Sequence, residues 1–282
     1  MTSARKAPHS VQVLQRWITQ AESDTGIAVA RQQRWVSYMI LAAMLDQARD
    51  EHDKPLFLLK GGVALELRFG LQARATRDYD AAFRAEMADL LDHLDDVLRL
   101  GLGDFSAERT AFEPVGETPA QRTTIKLSYR GRSWASVPFE VAPVEGSLGE
   151  EIDRVAARSL DHLGLEGPDN VPCVALRWQI AQKLHACTEI PAADRRNDRF
   201  RDLPDLLMLW ELVDPGDRLA LRESCEEIFR LREKQQWPPQ VAAFDHWSGP
   251  YRVLAAEMQF PVLDVHEAAA SVQAFVDLLV AL

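Results

Sequence analysis

The sequence is poor in cysteine, in positive charge and in long apolar runs. Three cysteines occur among 282 residues, Cys173, Cys187 and Cys225. They are scattered and odd in number, and no pair has metal-ligand spacing. That excludes a disulfide framework and a thiolate metal site, and it leads us to expect a reducing, cytoplasmic setting. No stretch approaches the roughly 20 apolar residues that span a bilayer, so no membrane partner is expected. The opening residues through His9 are polar and lack an apolar signal core, so secretion is not expected either. No repeat and no low-complexity segment is present. Positive charge is in deficit, with 32 Lys and Arg against 43 Asp and Glu, a formal net charge of −11. A chain so acidic does not bind nucleic acid through its total charge.

What is present is the mix of a globular protein, 47% hydrophobic and 27% charged, which excludes a disordered chain. Val11, Leu14, Trp17 and Ile18 recur at helical spacing, as do Trp35, Met39, Ile40 and Leu45. Residues 55–60 read as a short buried strand stopped by Gly61-Gly62, with a helix over 64–69. A second strand is expected over 80–83, a helix over 87–100, and a strand pair over 123–129 and 136–141 about the turn Arg130-Gly131-Arg132. Beyond residue 150 the periodicity predicts helices over 152–160, 174–189, 203–213, 219–234, 251–258 and 266–282, and no strand. The expected fold class is therefore an α/β (α+β) N-terminal domain with a small mixed sheet over 1–150, followed by a helical domain over 151–282.

Three features could carry chemistry. A strand that ends in Gly61-Gly62 and opens a helix presents free backbone N–H groups to a phosphate, although a lone Gly-Gly is by default a plain turn. Asp78 and Asp80 lie two apart, on one face if the segment is extended, and Mg²⁺ favours such carboxylates together with substrate phosphates. Solvated surface acids are the plain alternative. Glu140 sits among apolar neighbours in Val137-Pro-Phe-Glu-Val141, where a metal, a substrate proton or simple outward exposure would account for it. Lys183 lies at the edge of the apolar stripe of Leu176, Ile180, Leu184 and Cys187. His185 falls away from that stripe and is expected to be solvated.

The string Phe57-Leu-Leu-Lys-Gly-Gly-Val-Ala-Leu-Glu-Leu-Arg-Phe-Gly-Leu with Thr76-Arg-Asp-Tyr-Asp resembles the signature of the AbiEii/AbiGii-type nucleotidyltransferase toxins. These belong to the polymerase-beta-like minimal nucleotidyltransferases. The likeness extends to Gln179-Ile-Ala-Gln-Lys-Leu-His-Ala and to Arg199-Phe-Arg-Asp-Leu-Pro-Asp-Leu, and more loosely to Trp237-Pro, Trp247 and Tyr251. It implies that Lys60, Gly61, Gly62 and Val63, with Lys183, hold an NTP. It implies Mg²⁺ on Asp78, Asp80 and Glu140, with Glu140 also a candidate base. Asp202 or Asp205 would organise Lys183 or the substrate. The base of the NTP is left open among CTP, UTP and GTP.

The resemblance further implies a toxin-antitoxin or phage-defence role, a neighbouring antitoxin as partner, and transfer of NMP to a hydroxyl such as a tRNA 3′ end. Read from local charge, Arg68, Arg74, Arg77, Arg195, Arg196, Arg199 and Arg201 are the arginines expected to meet that RNA, the later ones interrupted by Asp194, Asp198 and Asp202, with a salt-bridged surface loop as the plain alternative. The chain departs from the pattern at Val63, where a hydroxyl residue is usual, and at Arg201, where the family has lysine. A protein acceptor, a catalytically weak NTP-binding regulator and an interaction protein are the alternatives.

Overall fold

A computed structural model describes residues 5–191 and 195–282, except the side chain of Asp24. Asp194 lies outside the described residues. The helices are α1 (Val11–Thr25), α2 (Val29–Leu45), α3 (Gly61–Phe69), α4 (Leu90–Leu100), α5 (Leu176–Thr188), α6 (Asp202–Trp210), α7 (Arg218–Arg232), α8 (Ser248–Glu257) and α9 (Val265–Val280). The strands are β1 (Phe57–Lys60), β2 (Tyr79–Phe83), β3 (Phe105–Arg109), β4 (Glu113–Pro114), β5 (Gln121–Tyr129), β6 (Arg132–Pro143), β7 (Ile152–Ala156) and β8 (Asn170–Val174). The chain divides into two compact units.

The first unit holds everything described up to Arg68, with Ala75–Val144 and Ile152–Cys173. Its sheet runs β3-β5-β6-β2-β1-β8-β7, with β4 added to β5. Pairing is mixed: β5 with β6 and β1 with β2 are antiparallel, β2 with β6 and β1 with β8 parallel. Helix α1 starts where the Ser10 hydroxyl accepts the Val13 N–H, and it places Leu14 and Ile18 in the core. Helix α2 is buried continuously from Val36 to Ala42, a helix enclosed by its surroundings. Tyr38, Tyr79 and Phe139 follow one another through this core with centroids about 6 Å apart, the first pair edge-on and the second tilted.

Two expectations fail here. Residues 152–156 form the strand β7 rather than a helix, and Asn170–Val174 adds a further strand, so the sheet draws on sequence beyond residue 150. The segment Ile152-Asp-Arg-Val-Ala is a half-exposed edge strand whose charges hide its alternation.

The second unit comprises Phe69–Arg74, Glu145–Glu151 and Val174–Leu282. Helix α5 packs between α6 and α7, and α9 packs on α6, α7 and α8. Enclosure on both sides corrects the expected exposure of His185, which is 1% accessible and edge-on to Phe229. Burial, with Arg232 beside it, lowers its pKa to about 4. Among the described residues no helix is long and apolar enough to cross a membrane.

Candidate active site

The glycines come first. Gly61 has φ +66°, in the left-handed region, and a Cβ there would collide with the Asp80 carboxylate. A Cβ on Gly62 would sit 2.6 Å from Thr76 Cβ. Both glycines are therefore needed because the segment carrying Asp78 and Asp80 passes directly against the first turn of α3. That turn carries backbone N–H groups without intrahelical acceptors and the positive end of the helix dipole. Val63 contributes only its backbone, since its side chain is fully buried in the core.

Sheet register then places charge in one row. Lys60 pairs with Asp80, Asp80 with Glu140, and Glu140 with Arg122. Register partners project to the same face, so two carboxylates lie side by side with a cation at each end of the row. Arg122 Nη2 donates to Glu140 Oε2 at 2.8 Å. That bond and the charge of Glu140, with smaller effects of Asp78 and Asp80, raise the Arg122 pKa. Asp78 lies just before β2, is exposed, and makes no side-chain hydrogen bond or ion pair among the described residues.

The expected three-carboxylate metal set does not form as one cluster. Among the described residues no group of three His, Cys, Asp or Glu side chains is placed to hold a metal ion, and Glu140 is engaged by Arg122. Asp78 and Asp80 still suit Mg²⁺, which takes one or two carboxylates and completes its shell from phosphates and water. Asp80 itself lies against the Gly61 end of the α3 turn, in the space a side chain at 61 would need.

The second unit holds a buried ion cluster. Lys183 Nζ lies 2.7 Å from both Asp202 Oδ1 and Asp205 Oδ2. Arg74 grips the same Asp205 through Nε and Nη2 at 3.1–3.2 Å. Asp202 Oδ2 is buried with no hydrogen-bond partner, and Arg199 Nη1 stands 3.9 Å away. Burial disfavours the charge on Lys183, but Asp202 and Asp205 outweigh it and raise its pKa. Burial likewise opposes ionisation of Asp205, and Lys183 with Arg74 brings its pKa down. Lys183 is thus a protonated cation at neutral pH. It is not the surface lysine that its position at the stripe's edge would otherwise suggest.

A sequence model of the AbiEii nucleotidyl transferase toxins of type IV toxin-antitoxin systems matches residues 43–277. The chain belongs to this family. It is similar in structure to the nucleotidyltransferase toxin MenT4 of Mycobacterium tuberculosis, with TM-score 0.53 and 16% identity over 96% of this chain and 99% of that one. A looser likeness, TM-score 0.43 and 13% identity over 89% and 94% of the two chains, is to a nucleotidyltransferase of H. pylori. No match was found among curated proteins. The family carries the conclusion that the protein is a nucleotidyltransferase of the toxin type. The likeness to MenT4 carries the fold.

Within this AbiEii chain the expected arginines divide. Arg68 is only 10% exposed and bonds Asp153 at 2.6 Å, and Arg74 is spent on Asp205. Arg74 balances a buried carboxylate and Arg68 a half-buried one, each within its own unit. Arg77, Arg195, Arg196, Arg199 and Arg201 are exposed. Arg122 was absent from the expected set. Counting back from the Arg130-Gly131 turn pairs Glu140 with Gln121; a bulge between Leu127 and Ser128 shifts the register and substitutes Arg122. No signal in the sequence marks that bulge.

Proposed function

We propose that this AbiEii-family protein transfers NMP from an NTP to the 3′ hydroxyl of RNA, most simply a tRNA end, and so blocks translation until a cognate antitoxin intervenes. Phage defence and a cytoplasmic setting accompany that reading. One observation carries it: the Asp80 carboxylate is packed so closely on the α3 turn that only glycine fits at position 61. Anion donors and anionic carboxylates meet there, which suits a triphosphate only if a cation stands between them.

Mg²⁺, held by Asp78 and Asp80, would supply charge neutralisation at the α-phosphate and the leaving pyrophosphate. The chain's own residues do the rest. Gly61 and Gly62 N–H groups orient the phosphates, and the rigid strand β2 fixes Asp80 for in-line displacement. Glu140 is assigned the proton of the attacking hydroxyl, with Arg122 setting its orientation. Lys183 is assigned a phosphate-binding role, its charge secured by Asp202 and Asp205.

The test offers each radiolabelled NTP in turn, with Mg²⁺, to purified total RNA and to total protein. Label in the RNA fraction, removed by Asp80→Asn, is expected, and the base incorporated identifies the nucleotide. Label confined to protein would overturn the RNA acceptor. No label in either, with NTP still bound, would leave a nucleotide-binding regulator.

A further inference from the structure

The first unit contains a cavity of about 220 Å³ beside the Asp78 segment, walled by Gln33, Arg34, Ser37, Tyr38, Arg77 and Ser136 among others. Three of its polar wall residues are braced by the framework. Tyr38 Oη donates to the Thr76 carbonyl at 3.1 Å, Gln33 Nε2 donates to the Trp134 carbonyl at 3.3 Å, and Ser37 Oγ accepts the Trp134 indole N–H at 3.0 Å. The two arginines are different. Neither Arg34 nor Arg77 makes an ion pair or hydrogen bond through its side chain with any described residue. Elsewhere in the same unit Arg31, Arg68, Arg84 and Arg109 each hold a carboxylate. Tyr38 feels the charges of Arg34, Glu66, Asp78 and Asp80 together, so the cavity shares an electrostatic neighbourhood with the proposed metal-binding acids.

Two arginines that line one hollow, neither paired through its side chain to a described carboxylate, offer a seat for an anion. We infer that this cavity binds a backbone phosphate of the acceptor RNA strand, with Arg34 and Arg77 as its two charged contacts. The inference rests on the RNA-acceptor reading above. It assigns the hollow to the acceptor and not to the NTP, whose phosphates already have the α3 turn. Arg77, one residue before Asp78, then ties acceptor position to the metal-binding pair. Fork geometry matters, because a phosphodiester offers two oxygens to each guanidinium.

The experiment measures binding of a labelled short single-stranded RNA with a free 3′ hydroxyl, without NTP, across a salt series. Wild type, Arg34→Ala, Arg77→Ala and Arg34→Lys are compared, and NTP binding with Mg²⁺ is measured on each. Thermal melting confirms that the variants fold. Each alanine variant is expected to weaken RNA binding about tenfold at low salt and to flatten the log–log salt slope by about 0.7, the value of one single-strand phosphate. Arg34→Lys should recover part of the affinity, and NTP binding should hold. RNA affinity unchanged in both alanine variants would overturn the inference, as would a loss confined to NTP binding. Failure of the wild type itself to bind or label RNA would instead remove the acceptor reading beneath it.

Discussion

Gly61 shows how one residue fixes a site. Its positive φ costs an L-residue about 1 kcal/mol or more, and the Asp80 carboxylate occupies the space of a side chain. Gly61→Ala must either move Asp80 or unwind the first turn of α3. It is expected to lower stability by about 1–3 kcal/mol and to abolish NMP transfer, since both proposed phosphate donors and the metal-binding acid are disturbed together. Urea unfolding and the transfer assay read the two effects. Wild-type transfer by this variant would show that Asp80 need not press on the turn. The need for glycine was legible in the sequence as a strand-stopping pair before a helix, but its reason was not. The partner, Asp80, is distant in sequence and arrives only through antiparallel pairing of β1 with β2.

At the scale of elements, sequence reading succeeded where periodicity was strong and failed where it was masked. Helices α1, α4, α7 and α9 have apolar stripes that report themselves. Strand β8 is short and contains Pro172, and β3 buries fully only Phe105, so neither announces itself. The Lys183 cluster shows a similar limit. Its lysine and aspartates could be named from sequence, yet their burial depends on α5 meeting α6. That burial changes what a substitution does. Lys183→Ala removes the shared cation from two shielded carboxylates. Arg74 still serves Asp205, but Asp202 keeps only Arg199 at 3.9 Å. A loss of about 3–5 kcal/mol is expected, so loss of toxicity in that variant would not by itself show catalysis. Pairing Lys183→Met with Asp202→Asn cancels the charge imbalance. This double variant should recover most of the stability in urea unfolding without recovering transfer. Recovery of transfer as well would make the lysine a structural counter-ion only.

For the whole molecule, the net charge of −11 is a poor guide to its partner, because the charge is unevenly spent. Many of its cations already neutralise its own acids; Arg68 and Arg74 are the clearest cases. What a polyanion meets is the remainder. Arg195, Arg196 and Arg201 are exposed with no carboxylate partner among the described residues. They flank Asn197, whose side-chain amide donates to the Ala186 and Glu189 carbonyls at 3.0 and 2.8 Å and pins this segment to the end of α5. Local potential, not total charge, steers a charged ligand, and beyond about 8 Å physiological salt screens the rest. Replacing Arg195, Arg196 and Arg201 with glutamine should therefore flatten the salt dependence of RNA binding by about 2 in log–log slope, if each meets one phosphate. A control replaces Arg16, Arg230 and Arg252, exposed arginines elsewhere, and changes the total charge equally. If the two triple variants lose RNA affinity alike, total charge governs the encounter after all. If only the first loses it, the acidic protein meets its RNA through a few uncommitted arginines, and the negative remainder prevents it from coating RNA at large.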